Sequence, residues 1–111
     1  MNEKKFDVKK LQKLNDPNRL RDIPPAYIWR QVNISNPGVL VDIGAGTGFF
    51  SVPFLNLANG GKLYACDISD TMIEWMEIHI CPENPGIKPL KMAEARVPLE
   101  DDTADLVYMI N

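Results

Sequence analysis

Two cysteines and one histidine are all the thiol and imidazole metal ligands in this 111-residue chain. Cys66 and Cys81 are spaced too widely for a redox or zinc pair, and His79 has no second imidazole to join it, so no metal site is expected. Both cysteines read as packing residues. Long apolar runs are missing too. Nothing approaches the ~18 residues needed to cross a bilayer, and Met1-Asn2-Glu3-Lys4-Lys5 lacks the apolar core of a signal peptide. A cytoplasmic location without membrane contact is expected. Repeats and low-complexity tracts are absent, and no glycine loop is followed by Gly-Lys-Ser/Thr, which excludes a P-loop. What remains, 45% hydrophobic and 24% charged, is an ordinary globular composition with room for at most one smallish domain.

The stretch Val39-Leu40-Val41-Asp42-Ile43-Gly44-Ala45-Gly46-Thr47-Gly48-Phe49-Phe50 organises that domain. An apolar run broken by one carboxylate reads as a parallel strand buried on both faces, and the aromatic residues beyond the glycines resume at helical spacing. Glycines at every second position can take positive φ and let a ligand lie against bare main chain. Dinucleotide-binding turns follow G-x-G-x-x-G, whose third glycine would fall at Phe49. Here the pattern is G-x-G-x-G with Asp42 two residues ahead. A carboxylate there suits a cationic or amino-bearing group better than a pyrophosphate.

At these residues the sequence resembles the class I S-adenosylmethionine-dependent methyltransferases, whose first motif matches Asp42-Ile43-Gly44-Ala45-Gly46-Thr47-Gly48 residue for residue. The resemblance implies S-adenosylmethionine as cofactor and places Asp42, Gly44, Ala45, Gly46 and Gly48 against it.

The chain ahead of this motif is basic. Residues 1–30 hold eight Lys/Arg against four acids, a net of +4 that leaves −7 for the rest of a chain whose total is −3. A basic arm for nucleic acid is one reading. The other is a short amphipathic helix, because Phe6, Val8, Leu11 and Leu14 recur near i, i+3, i+4 among the lysines. Asp16 is placed to cap a turn, and Pro25 suits the first position of a helix through Tyr27, Trp29 and Val32. In the resembled family a segment of this kind packs over the cofactor pocket, which implies that Tyr27 or Trp29 walls the site; packing the helix is the other duty for each. Asn36-Pro37-Gly38 is a turn signal directly before the first strand. An N-terminal helical segment over residues 1–35 and an S-adenosylmethionine-binding α/β domain over 36–111 are therefore expected.

Beyond the glycines, Phe50, Phe54, Leu57 and Ala58 form an apolar stripe of a helix established from about Ser51, with Pro53 in its first turn and a stop at Asn59-Gly60-Gly61. Lys62 to Cys66 is a second strand ending in Asp67, 19 residues beyond Gly48 and close to the spacing of a ribose-binding acid. Capping of the next helix is the competing role for Asp67, although Ser69 and Asp70 already supply a cap. The resemblance makes Asp67 the ribose acid and sets Ile68 and Met72 beside adenine. Met72, Met76 and Ile80 also form a core stripe. His79, in the last turn of that helix, suits the helix dipole when charged. Ile87 to Met92 is a third strand, an edge strand on account of Pro89.

Met92 to Asp102 looks like a further family motif. Many members carry an adenine-binding aspartate where Ala93 stands here, which leaves Glu94 to reach the exocyclic amine or to be a surface charge. A fourth strand runs from Ala104 to Asn111, and Asn111 would project at the reacting end of the cofactor, at the switch point between strands 1 and 4.

The expected fold is α/β, a doubly wound Rossmann-like parallel sheet of order 3-2-1-4, an incomplete methyltransferase domain. The implied reaction is displacement at a sulfonium methyl carbon, which asks the protein mainly for in-line positioning and exclusion of water. No residue can be named as a general base. The acceptor is unidentified: a small molecule first, tRNA or rRNA second, protein third. A noncatalytic nucleoside-binding or interaction module and a nicotinamide oxidoreductase are the alternatives, the latter opposed by Phe49 and Asp42. Because residues 106 to 110 would form an unprotected edge, residues 1–111 alone are expected to be inactive and to self-associate.

Overall fold

The first strand sets the centre of the sheet. In a computed structural model, which describes residues 12–32, 38–58, 61–93 and 104–110, Val39–Ile43 forms β1 with Leu40, Val41 and Asp42 all buried. A strand buried on both faces needs partners on both edges. It pairs in parallel with β2, Lys62–Asp67, on one side and with β4, Leu106–Met109, on the other. β3, Ile87–Lys91, completes the sheet beyond β2 in the order β3-β2-β1-β4, the order read from the sequence. Pro89 lies on this edge strand, where its missing N–H breaks no interior ladder.

Before the sheet come two helices, α1 at Asn18–Asp22 and α2 at Pro25–Val32; residues 12–14 are helical as well. Asp16 Oδ1 accepts from the backbone N–H of Asn18 at 2.9 Å, the turn-capping role its position suggested. Helix α3, Ser51–Ala58, starts where the stripe places it and carries Pro53 in its first turn, a position without an interior hydrogen bond to lose. Helix α4, Asp70–His79, is capped by Ser69, whose hydroxyl oxygen accepts from Met72 N–H at 3.2 Å. A short 3₁₀ turn, Cys81–Glu83, leads to β3.

These helices share one face of the sheet. Leu40, Leu63, Ala65 and Ile87 from the strands meet Phe50, Phe54, Ala58 and Met76, with Ile28 and Trp29 of α2 packed on the outside. Trp29 contacts Phe54 at a centroid distance of 6.2 Å, and Tyr108 of β4 stacks on the same ring at 4.4 Å. Each fully buried Leu or Phe here contributes about 1.5–3 kcal/mol by leaving water. The opposite face gathers Val41, Cys66 and Met92 with Ile43, Tyr64 and Leu90, and no described helix packs there. On β4, Val107 and Met109 are 54% and 60% exposed.

Asp105 ties the sheet together at its other end. Its Oδ2 accepts from the N–H groups of Gly38 and Val39 at 2.8 and 3.0 Å, fastening the start of β1 to the segment that leads into β4. No helix among the described residues is long and apolar enough to cross a membrane. The N-terminal stripe at Phe6, Val8 and Leu11, the turn at Asn36-Pro37 and the helix stop at Asn59-Gly60 lie outside the described residues.

Candidate functional site

Parallel strands leave a crevice at their carboxyl ends, and here β1 runs out of its sheet at Ile43, level with Cys66 of β2 and Met109 of β4. The chain must reverse at once to enter α3. Gly44 and Gly46 adopt φ of 72° and 62°, a left-handed conformation that costs residues with a Cβ about 1–2 kcal/mol. A Cβ built on either would meet nothing within 4 Å, so the space beside them is open.

That space is a cavity of about 290 Å³ lined by Asp42, Gly44, Ala45, Gly46, Thr47, Phe49, Phe50 and Ile110, with Leu14 and Arg19 on the side of the N-terminal segment. Gly48 differs from the other two glycines. It also has positive φ, 80°, but it is buried off the cavity, and its Cβ position lies 3.3 Å from Met76 Cγ and Sδ. Its bare main chain lets α4 approach the loop.

Asp42 is the buried charge at the floor, 2% exposed. Ser51 Oγ donates to its Oδ2 at 2.7 Å and the Tyr108 hydroxyl donates to the same oxygen at 3.2 Å. Burial pushes the carboxyl up to about 6, the two hydroxyl donors oppose the rise, and the charge of Asp67 adds to it. Burial and the neighbouring Asp42 carboxylate likewise raise the Tyr108 phenol, which stays protonated and a donor. Burial, first of all, also lifts the Cys66 thiol to about 11, in keeping with a packing residue.

Asp67, at the end of β2, faces two ways. Oδ1 accepts from Ser69 N–H at 2.9 Å, a short-range turn, and Oδ2 accepts from Gly46 N–H at 2.8 Å, reaching across to the glycine loop. Each carboxylate oxygen still has a lone pair for a further donor. Ile68, 58% exposed, and Met72 in the first turn of α4 stand beside this carboxylate in sequence and outside the cavity. Trp29 packs against Phe54 and Tyr27 is exposed; neither lines the cavity, whose wall on that side is made by Leu14 and Arg19. Glu94 and Asn111 lie outside the described residues. Among the described residues no group of His, Cys, Asp or Glu is arranged to hold a metal ion. His79 instead stacks on Trp75, at 3.9 Å between ring centroids, on the outer surface of α4.

Sequence reading placed Leu14 in an amphipathic stripe of the N-terminal segment and gave neither Leu14 nor Arg19 a role at the site. Thr47 Oγ1 donates to Asn15 Oδ1 at 2.8 Å, which fastens this segment to the glycine loop. Arg19 lies over Phe50 with its guanidinium carbon 4.7 Å from the ring centroid, and its Nη1 donates to the Leu14 carbonyl at 2.7 Å. The interleaving of lysines with apolar residues gave no reason to single out Arg19. Its one signal was position, directly after the Asp16-Pro17 turn.

Residues 40–111 match the family model of a methyltransferase domain. Among solved structures, a SAM-dependent methyltransferase from Aquifex aeolicus superposes with a TM-score of 0.81 at 29% identity, covering 95% of this chain and 57% of that one. A Methanococcus maripaludis protein assigned to the S-adenosyl-L-methionine-dependent methyltransferases gives 0.70 at 28% identity, covering 98% of this chain and 52% of that one. The chain thus spans little more than half the length of these structures. Human N-acetylserotonin methyltransferase, solved in complex with SAM, shares the fold at a TM-score of 0.69, with 19% identity over 92% of this chain and 28% of its own. Comparison with curated proteins returned no match.

Proposed function

The chain belongs to the methyltransferase-domain family whose model spans residues 40–111, and from that premise we propose that it binds S-adenosylmethionine and serves the transfer of its methyl group to a small-molecule acceptor. The observation that carries this reading is the open space beside Gly44 and Gly46, which line one cavity with the buried Asp42 carboxylate. Main chain without Cβ atoms can lie flat against a ligand. Two carboxylates, Asp42 and Asp67, flank the loop and make it hospitable to a cationic group and hostile to a pyrophosphate.

The residues fit the cofactor by their donor and acceptor chemistry. Asp42 is placed to take an ammonium group, and Asp67 to accept from the two hydroxyls of a ribose while keeping its bond to Gly46 N–H. Ile68 and Met72 offer apolar surface to a base, and Gly44, Ala45 and Gly46 shape the floor between. When bound, the cofactor supplies a methyl group on a positively charged sulfur that leaves as a neutral thioether. The chain's own work is then to position that group and exclude water, for which Phe49, Phe50, Leu14 and Ile110 give an apolar lining. A small-molecule acceptor is favoured over nucleic acid because Arg19 is the one cation lining this cavity among the described residues, and the chain carries a net charge of −3.

Calorimetric titration with S-adenosylmethionine, S-adenosylhomocysteine and NAD tests the reading. Binding of the first two in preference to NAD is expected. NAD binding as tightly or more tightly would overturn it.

A further inference from the structure

The end of β2 opens on a ledge outside the cavity. Ile68 is 58% exposed and Met72 half-buried, and neither is among the apolar side chains gathered in the two core clusters. The turn Asp67-Ile68-Ser69 holds Ile68 out into solvent beside the Asp67 carboxylate, where hydrophobic burial gives it no reason to stay. Its hydrogen bonds show what holds it.

Asp67 takes part in three of them. Its two carboxylate oxygens accept from Ser69 N–H at 2.9 Å and Gly46 N–H at 2.8 Å, and its carbonyl accepts from Met92 N–H at 2.9 Å. The Ser69 carbonyl serves α4, accepting from Ile73 N–H at 3.1 Å. The Ile68 carbonyl lies one residue ahead of that cap, where no helical N–H reaches it. Lys91 supplies the donor instead. It stands opposite Asp67 in the β2–β3 register, and its Nζ donates to the Ile68 carbonyl at 2.7 Å while pairing with Asp70 Oδ1 at 3.1 Å. Both charged side chains are half exposed or more, so the pair adds little to stability, and ordering a lysine loses rotamer freedom that such a pair barely offsets. What the contact secures is geometry. With Met92 on one carbonyl and Lys91 on the next, both peptide groups flanking Ile68 are fixed to the end of β3.

We propose that Lys91 is a positioning residue for the nucleoside end of the ligand. By fixing the Ile68 carbonyl it sets the Ile68 side chain, the apolar surface on which a base would lie, relative to the Asp67 carboxylate that would accept from the ribose. This rests on the methyltransferase reading above. Lys91 acts only through Ile68, so its effect should not depend on what the ribose carries at its 5′ carbon.

The test uses the full chain and three ligands that share the nucleoside: adenosine, 5′-methylthioadenosine and S-adenosylhomocysteine. Lys91→Met keeps the aliphatic stem and removes the donor. It should weaken all three by a similar factor, about 3- to 10-fold, the span of one net hydrogen bond, and move the unfolding midpoint by less than about 5 °C. Lys91→Arg, which keeps a charged donor, should recover part of the loss. Asp70→Asn breaks the ion pair but leaves the bond to Ile68, and should change affinity by less than about 2-fold. A double-mutant cycle separates positioning from a merely structural role: in an Ile68→Ala background, Lys91→Met should weaken binding little further, because the surface it orients is gone. Full additivity of the two substitutions would overturn the proposal, as would unchanged affinity in Lys91→Met or an equal loss in Asp70→Asn. Each of these results leaves the cofactor assignment standing. Failure of the unmodified chain to bind any of the three ligands overturns the functional reading and the positioning role together.

Discussion

A buried carboxylate that meets two hydroxyls and no cation is held at a thermodynamic disadvantage, and Asp42 is such a group among the described residues. Its folded carboxyl titrates at about 6 against 3.8 in its ordinary state, so the folded protein binds this proton more tightly than the unfolded chain does. The stabilising contribution is full below about pH 3.8 and is lost as pH rises through about 6; at neutral pH the ionised group weakens the fold by on the order of 3 kcal/mol. Asp42→Asn keeps an oxygen for Ser51 and Tyr108 and removes the charge. It should raise the Tm at pH 7 and erase its advantage near pH 4, measured as the difference between the two unfolding curves, while S-adenosylmethionine binding is lost. An equal Tm difference at both pH values would show that burial of the charge is not the cause. Asp67 behaves differently because its oxygens bond backbone N–H groups. Asp67→Ala should weaken S-adenosylmethionine by about 1.5–3 kcal/mol and, since Gly46 and Ser69 lose an acceptor, also lower the stability of the chain by about 1 kcal/mol. Unchanged affinity with a falling Tm would leave Asp67 a purely structural residue.

Among the elements, the strand-loop-helix unit from β1 to α3 was fully legible, because a two-sided apolar strand, alternate glycines and a 3.6-residue stripe are each local signals that agree. The glycines themselves were less legible, since the pattern G-x-G-x-G does not say which side of the loop each one faces. Gly44 and Gly46 open on the cavity, whereas Gly48 faces Met76 of α4 and Ile80 just after it, partners about thirty residues away in sequence. The consequence can be measured. Gly48→Ala carries both left-handed strain and a 3.3 Å contact, and should reduce stability by about 1–3 kcal/mol with a smaller effect on affinity. Gly44→Ala has room for its methyl group in the protein alone and should chiefly reduce S-adenosylmethionine affinity, by obstructing the ligand. Urea unfolding and titration of both variants would separate the roles; identical profiles would show that the two glycines serve the same end. Asp105 and Arg19 were illegible for a related reason. Each acts on a group far along the chain or on a main-chain atom, Asp105 on Gly38 and Val39 and Arg19 on the Leu14 carbonyl, and side-chain spacing carries no record of such bonds.

At the scale of the molecule, the described sheet is protected along one edge and unprotected along the other. β3 closes its edge with Pro89 and flanks it with Lys88 and Lys91, both exposed, which discourages a further strand. β4 has no such protection: it pairs with β1 alone among the described residues, and its four residues contain no proline or charge. Val107 and Met109 are more than half exposed on the face where Val41, Cys66 and Met92 have no described helix over them. Parallel sheets are stable when both faces are covered, so this edge offers unpaired main-chain groups and apolar surface together. The 111-residue chain by itself is therefore expected to self-associate through β4. Sedimentation should reveal a concentration-dependent dimer or larger species, and amide hydrogen exchange should show protection of residues 106–109 rising with concentration. Met109→Lys places a charge on the exposed face without touching the Tyr108 contact with Phe54, and should shift the equilibrium toward monomer. A monomer at all concentrations, with the same residues strongly protected, would mean that the edge is covered within a single chain.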